Sequence, residues 1–358
     1  MFRQRRFLVA SGLAAVLQIW LAPVFAQQSP TAGSNTQSPS SPAKPDVIEI
    51  PLEPTPVPVA PSAPTLPELS IPNFASCPLA ELQHTVPALA GLKADRDQAK
   101  LAALLDNIGA KTVEIVRKTP NLISHEAVAL QQGSLKMHKD FSYLVVPHAV
   151  GSNGMVLDEY RVDLSTGEKF QSEDIEKTTA SDSRAQSPFL VDLPRTGRSL
   201  PGSDAAPMSQ GFVTGWLHFY PANRPQSDFR YLGEQKMDGH HTLVVAFAQK
   251  PVSVRLPAMF RFEDKTVPMF LQGVAWVDAT DFRIVRLRTD LLSPPPGVPL
   301  RQLTADIQFA QVVIAETTAP LWLPRKVLVT MSAGGVTRRE TLTYSNYRLF
   351  RAHSKIKF

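Results

Sequence analysis

The chain has 358 residues and a single cysteine, Cys77, so an intrachain disulfide is excluded. The stability of the fold must therefore come from its hydrophobic core, even in an oxidising compartment. We interpret Cys77 as a structural or unpaired thiol. A redox or intermolecular role is the alternative, and it would need a partner that the sequence does not show.

Catalytic and metal-binding motifs are missing as well. The sequence contains no Gly-x-Ser-x-Gly elbow, no phosphate-binding glycine loop and no dinucleotide fingerprint. The pair His240-His241 follows Asp238-Gly239 at a predicted hairpin tip, and no spaced Cys, His or carboxylate partner completes a metal site. The sequence therefore predicts no enzyme, no cofactor and no metal. A hydrolase that joins His125-Glu126 or His148 to Ser142 is an alternative that needs a nucleophile beside a base in the fold.

A dense basic stripe is also absent, although the formal net charge is +5. Three arginines and no acid lie in residues 1–26, so removing that segment lowers the charge to +2. Nucleic-acid binders keep a strong basic surface, and none is predicted here. We interpret Arg338-Arg339 and the basic residues of 351–357 as solvated strand ends, with weak attraction to anionic lipid as the alternative.

Residues 1–26 have the pattern of an export signal. Arg3, Arg5 and Arg6 precede an apolar stretch from Leu8 to Leu21, and small residues before Gln27 suit cleavage. Retention as a membrane anchor is the alternative, although the stretch is short for a span of about 20 residues. No later run is long and apolar enough to cross a bilayer. The mature protein is predicted to be periplasmic or secreted.

Two further regions follow the signal. Residues 27–75 are rich in Pro and small polar residues, which predicts a disordered, polyproline-like linker. Residues 76–358 are predicted to form one domain, with a loop insertion at about 165–208 where apolar density falls. Near its start, Asp95-Arg-Asp-Gln98 resembles a capping box for an amphipathic helix that ends before Pro120.

The rest of the domain reads as about eleven short strands. Alternating segments such as Leu303 to Phe309 predict strands with one wet face, whereas His241 to Ala248 and Met269 to Val277 are apolar on both faces and need cover on two sides. Turn residues such as Asp238-Gly239 make neighbouring strands antiparallel. The predicted strands are 122–131, 140–150, 156–164, 228–237, 241–249, 252–262, 269–278, 283–292, 301–314, 322–331 and 336–350.

Two groups of apolar residues are the candidate binding residues. A second helix is predicted over 209–220, with Pro221 as its stop, and it is the candidate cover of the sheet. Its apolar face carries Phe212, Trp216, Leu217 and Tyr220, together with Val213. The candidate cavity residues are aromatic and lie on the predicted strands: Phe247, Phe270, Trp276, Phe309 and Trp322. Core packing is the alternative role for each of these aromatic residues.

The order of these elements resembles the LolA/LolB-like superfamily of periplasmic lipoprotein carriers. The resemblance covers about residues 95–350 and depends on Phe229-Arg-Tyr-Leu-Gly233, on Gly273 to Asp278 with the turn to Arg283, and on Trp322-Leu-Pro324. The long Pro-rich leader and the insertion depart from the family. The resemblance implies an α+β fold, an antiparallel open (half) β-barrel with helices covering its concave face.

The same resemblance implies a function without catalysis. The expected protein is an exported carrier or binding protein for a lipid, a lipoprotein acyl chain or another hydrophobic ligand. An envelope membrane protein is a further candidate partner, and nucleic acid is not. The alternative is a secreted interaction module whose concave face binds a protein or a glycan.

Overall fold

Antiparallel strands make up most of the part of the chain that the computed structural model describes, which is residues 71–150, 154–167, 169–171, 190–193, 212–254, 257–262 and 265–350. All of them lie within one compact unit, Pro64–Phe358. The α-helices are α1 (Leu79–Thr85) and α2 (Leu101–Lys118), and the 3₁₀ helices are Pro87–Leu89, Phe212–Phe219, Arg224–Gln226 and Pro251–Ser253. The strands are β1 (Lys93–Ala94), β2 (Leu122–Gln132), β3 (Leu135–Val150), β4 (Gly154–Asp163), β5 (Lys169–Gln171), β6 (Leu190–Leu193), β7 (Ser227–Met237), β8 (His240–Gln249), β9 (Ala258–Phe262), β10 (Lys265–Met269), β11 (Leu271–Asp278), β12 (Ile284–Leu291), β13 (Leu300–Val312), β14 (Leu321–Ala333) and β15 (Val336–Leu349).

Twelve of the described strands form one open sheet in the order β1-β7-β8-β11-β12-β13-β14-β15-β2-β3-β4-β5. All neighbours in this sheet are antiparallel, and its edges β1 and β5 do not pair with each other. A second sheet has the order β10-β9-β6, with β6 parallel to β9. The predicted class, an α+β fold with an open antiparallel barrel, is confirmed.

The strand count is higher than the sequence predicts. Each of the eleven predicted strands is present, although the segment predicted as 252–262 is a 3₁₀ turn followed by β9. The four additional strands, β1, β5, β6 and β10, have two to five residues each. Such short pieces are too brief to show an alternating pattern. Strands β5 and β6 belong to the predicted insertion at 165–208, whose other residues after Gly167 lie outside the described part.

The folded part begins earlier than residue 76. Phe74 is fully buried, and its backbone N–H donates to Gln272 Oε1 at 2.9 Å. The predicted linker therefore extends too far, because Phe74 and the carbonyl of Pro72 both contact the sheet. Residues 1–70, with the predicted signal and most of the linker, lie outside the described part, as do residues 351–358.

Helix α2 does not start with the predicted capping box. Asp95 Oδ1 instead accepts the N–H of Asp97, and Gln98 exchanges hydrogen bonds with the backbone of Tyr231 on β7. The helix begins at Leu101, without a side-chain cap. Its buried stripe recurs every fourth residue, which is the spacing of one helix face, and it consists of Leu104, Ile108, Thr112 and Val116.

One face of the large sheet lies under α2 and the 3₁₀ helix Phe212–Phe219, and we call it the helix face. The strand register places one apolar residue from each of seven neighbouring strands in a straight row on this face. The row, from β8 to β2, is Val245, Ala275, Leu287, Ile307, Val327, Leu342 and Val128. Six gaps of about 4.8 Å make it roughly 29 Å long.

The other face of β8 and β11 lies under residues 71–92, and we call it the amino-terminal face. Gln272 Nε2 donates to the carbonyl of Pro72, and Gln235 Nε2 donates to the carbonyls of Ala88 and Ala90. The strands that are apolar on both sides thus have cover on both sides. The sequence predicted this need but not that the amino-terminal segment supplies part of the cover.

Two glycines give a testable contrast. A Cβ on Gly273 would overlap the carbonyl oxygen of Arg288 and come within 2.7 Å of the Phe247 ring, whereas Gly239 has free space but a φ of +86°. We expect Gly273→Ala to lower the free energy of unfolding by about 3 kcal/mol, because the core must shift, and Gly239→Ala by about 1 kcal/mol. Urea unfolding measures both, and an equal or smaller loss at Gly273 would contradict the steric explanation.

Candidate functional site

The segment predicted as an α-helix over 209–220 is a 3₁₀ helix, Phe212–Phe219, which we call the cover helix. Gly215 in the middle of the segment lowers its α-helix propensity, and eight residues is a long run for a 3₁₀ helix. Phe212 and Trp216 are buried, whereas Leu217 and the following Tyr220 are half-buried.

The cover helix lies directly on the apolar row. A Cβ at Gly215 would come within 3.0 Å of the side chains of both Leu287 and Ile307, so a larger residue there would have to push these side chains aside. Trp216 stacks on Phe309 with ring centroids 5.0 Å apart, and Phe219 meets Phe247 edge-on at 5.7 Å. These contacts fill the helix face at its centre.

His218 is the polar residue at the buried side of the cover. Its ring lies 4.6 Å from the ring of Phe247, and only 7 % of the residue is exposed. Burial lowers the pKa of His218 to about 4, because the charged imidazolium loses its hydration. The observed packing of His218 therefore favours the neutral imidazole.

Trp216 carries an unsatisfied polar atom. Its indole Nε1 is buried, and no hydrogen-bond acceptor reaches it from the described residues. Leaving a buried donor without a partner costs roughly 1–3 kcal/mol. The observed position of the cover helix is therefore stabilised by apolar packing and opposed by this donor.

The five cavity candidates are divided among different environments. Phe247 and Phe309 lie on the helix face under the cover helix. Phe270 is half-buried between β10 and β11. Trp322 is buried where its Nε1 donates to the carbonyl of Ile284, with the Arg283 guanidinium 4.4 Å from the centre of its ring. The structure thus brings two of the five together with the cover.

Trp276 lies on the amino-terminal face. The register pairs Trp276 with Val244 and pairs Gly273 with Phe247, so Trp276 and Phe247 point to opposite sides. Its Nε1 donates to Gln235 Oε1 at 2.8 Å, and the residue is fully buried. This environment is a filled core with a satisfied indole.

A buried polar cluster on the helix face was missed by the sequence reasoning. Arg161 on β4 makes two hydrogen bonds to the Glu126 carboxylate on β2, at 2.5 and 2.8 Å. Both side chains are almost completely buried. Tyr143 and Tyr344 flank this ion pair, since Tyr143 pairs with Arg161 and Tyr344 with Glu126 across the strands. We call these four residues the polar cluster.

Only a weak signal in the sequence points to this cluster. Leu122, Val128 and Leu130 mark the inward face of β2, and Glu126 occupies an inward position of the same alternation. A charged residue at such a position must find a buried partner. That partner is Arg161, 35 residues later, and only the register of β2, β3 and β4 reveals it.

A serine, a histidine and an aspartate do line up on the outer surface, which bears on the hydrolase alternative. His125 Nδ1 lies 3.4 Å from Ser345 Oγ, and His125 Nε2 lies 3.0 Å from Asp140 Oδ1. All three side chains are substantially exposed, and the serine contact is long for a hydrogen bond. We interpret the group as a cross-strand surface ladder in which water competes for every contact.

The two histidines at the β7–β8 turn have separate partners. His240 Nδ1 lies 2.6 Å from Asp278 Oδ2, and His241 Nε2 lies 3.1 Å from Glu234 Oε2. Within the described ranges no group of three or more His, Cys, Asp or Glu side chains could hold a metal ion. In the same ranges no helix is long and apolar enough to cross a membrane.

The fold and site define an α+β protein with an open antiparallel sheet whose apolar face lies under a short helix. The chain is similar to a DUF1329 family protein from Desulfovibrio piger (TM-score 0.37, 10 % identity, covering 71 % of this chain and 94 % of that one). It is also similar to a putative outer membrane lipoprotein-sorting protein domain from Vibrio parahaemolyticus (TM-score 0.35, 10 % identity, covering 70 % of this chain and 94 % of that one). A third similar structure is a LolA superfamily protein from Nitrosomonas europaea (TM-score 0.30, 12 % identity, covering 70 % of this chain and 94 % of that one).

No protein-family model and no curated protein matches the chain. TM-scores below 0.5 add nothing to what the residues themselves indicate about function.

Proposed function

We propose that the protein is an exported, non-enzymatic carrier or binding protein for a hydrophobic ligand, such as a lipid or a lipoprotein acyl chain. The ligand would lie along the apolar row of the helix face after the cover helix has moved away. The observation that supports this most directly is the placement of the cover helix, a short 3₁₀ segment, over the centre of a continuous apolar row.

The dimensions of the row suit an acyl chain. It is roughly 29 Å long at about 4.8 Å per strand gap. An acyl chain in one leaflet of a bilayer spans about half of the 30 Å hydrocarbon core, roughly 15 Å, so the row is long enough to hold it. Each buried methylene contributes about 0.8 kcal/mol, so an acyl chain could replace the apolar contacts of the cover.

The closed cover is also easier to displace than an ordinary core element. A 3₁₀ helix has poorer hydrogen-bond geometry than an α-helix, so it depends on packing for its stability. Trp216 adds a buried donor without a described partner. A ligand that opens the cover would let this indole reach water or a polar group of the ligand.

Extraction of the purified full-length protein with organic solvent, followed by mass spectrometry, tests the proposal. We expect lipid to co-purify in stoichiometric amounts. A protein that contains no lipid and does not bind the neutral probe N-phenyl-1-naphthylamine would contradict the proposal. That result would favour the interaction module that binds a protein or a glycan.

Two tryptophan substitutions sharpen the test. Trp216→Ala should tighten probe binding about tenfold if it makes opening of the cover easier by about 1.4 kcal/mol, because the competent fraction limits the apparent affinity. Trp276→Ala should leave probe binding unchanged and cost about 3–5 kcal/mol of stability, as a filled-core truncation does. Fluorescence titration and urea unfolding measure the two effects. The reverse pattern would place the ligand on the amino-terminal face.

A further inference from the structure

The polar cluster adjoins the end of the apolar row. Val128 and Leu342 are its last two residues, and Glu126 and Tyr344 lie two positions further along the same strands. Residues two positions apart on a strand point to the same face about 6.6 Å apart. The helix face therefore changes from hydrocarbon to polar within one side-chain spacing.

Three polar atoms of the cluster have no partner among the described residues. They are the hydroxyl groups of Tyr143 and Tyr344 and the Nη1 atom of Arg161, and all three are buried. The two rings lie 5.1 Å apart, and the Arg161 guanidinium lies 5.2 Å from the centre of the Tyr143 ring. Because buried polar groups in proteins are nearly always paired, such a group points to a partner outside the described residues, and the polar head of a ligand can supply it.

The charges of the cluster select the kind of ligand. Glu126 neutralises Arg161, so the pair offers hydrogen-bond donors without net charge. Burial raises the pKa of Tyr344, the carboxylates of Glu126 and Glu159 raise it further, and the Arg161 guanidinium offsets only part of this effect. The field that opposes a phenolate would equally oppose a carboxylate or phosphate. Neutral oxygens, such as ester carbonyls or alcohol groups, avoid this repulsion.

We propose that the polar cluster is the headgroup subsite for an amphipathic lipid with a neutral, oxygen-rich head such as a glyceryl ester. Tyr143, Tyr344 and Arg161 Nη1 donate hydrogen bonds to the head, and the acyl chain runs from Val128 and Leu342 along the apolar row. This subsite depends on the proposed carrier function and specifies the class of its ligand.

Displacement of N-phenyl-1-naphthylamine from the full-length protein tests the subsite. Monopalmitoylglycerol should displace the probe better than palmitate at about pH 8, where the carboxylate is ionised, and better than hexadecane. In Tyr143→Phe/Tyr344→Phe the dissociation constant for monopalmitoylglycerol should rise about tenfold, because two hydrogen bonds are lost, while affinity for the probe stays the same. A parallel titration with a dipalmitoylglyceryl-cysteine peptide shows whether the protein prefers a head that is attached to a protein or the head of a free membrane lipid.

Stability gives a second readout with the opposite sign. Each of Tyr143→Phe and Tyr344→Phe should raise the urea midpoint of the delipidated protein, because a buried hydroxyl without a partner is removed. Tyr347→Phe is the matched control. Its hydroxyl donates to the carbonyl of Pro324 at 2.7 Å, so the control should lower the midpoint and leave monopalmitoylglycerol binding unchanged.

The outcomes separate the two proposals. If the wild-type protein does not bind the probe at all, the carrier function is wrong. If the probe binds but the three competitors displace it equally, or if the double variant binds monopalmitoylglycerol as the wild type does, the carrier function stands and the headgroup subsite is wrong.

Discussion

Replacing Arg161 by methionine should lower the free energy of unfolding by about 3–5 kcal/mol, because it leaves the Glu126 carboxylate buried without its partner. Both side chains are nearly inaccessible, at 1 % and 0 % exposure. Burial alone would lower the pKa of Arg161, and the adjacent Glu126 more than offsets it, so Arg161 keeps its charge. Equilibrium unfolding in urea gives the loss.

The double variant Glu126→Leu/Arg161→Met removes both charges, so it shows how much of the loss in the single variant comes from the unpaired carboxylate. Apolar replacements of a buried pair are often neutral or stabilising, so the double variant should recover to within about 1 kcal/mol of the wild type. Arg224→Met is the surface control. Its ion pair with Asp106 is 24 % and 70 % exposed, and its loss should be below about 1 kcal/mol. An equal loss in the single and double variants would show that local packing dominates.

The strands and their antiparallel order could be predicted from the sequence, because the alternation of apolar residues and the choice of turn residues are local features. The turn at Asp238 and Gly239 has positive φ at both residues, as the Asp-Gly pair predicts. Helix starts were harder to place. Asp95 and Gln98 have the spacing of a capping box, yet the side chain of Gln98 forms hydrogen bonds with the backbone of Tyr231 instead of capping the helix.

The candidate site could be predicted only in part, because a side chain's face depends on the register between distant strands. Phe247 and Trp276 look alike in the sequence, since both lie in strands that are apolar on both sides. The pairing of β8 with β11 places Phe247 under the cover helix and Trp276 under residues 71–92. Glu126 and Arg161 were missed for the same reason.

Acidification from pH 6.5 to 4.5 should lower the stability of the closed protein by roughly 2 kcal/mol, because each pKa unit corresponds to 1.36 kcal/mol and the titration is only partial at the two ends of this range. Burial lowers the pKa of His218 from its usual 6.5 to about 4 in the closed protein. Above pH 6.5 His218 is neutral in both the closed and the opened states, and its stabilising contribution is fully present. Between 6.5 and 4 only the opened or unfolded state binds the proton, so stability falls as the pH falls.

Urea unfolding across this pH range, together with probe binding, tests the role of His218. His218→Leu should remove the slope between pH 6.5 and 4.5, since no proton uptake accompanies opening. His241→Gln is the control, because the His241 side chain is 64 % exposed, and its slope should match the wild type. The carboxylates with lowered pKa, among them Glu114 at about 2, lose their contribution mainly below this window. If His218→Leu keeps the wild-type slope, another group controls the acid response; if probe binding strengthens on acidification only when His218 is present, protonation of this residue opens the cover.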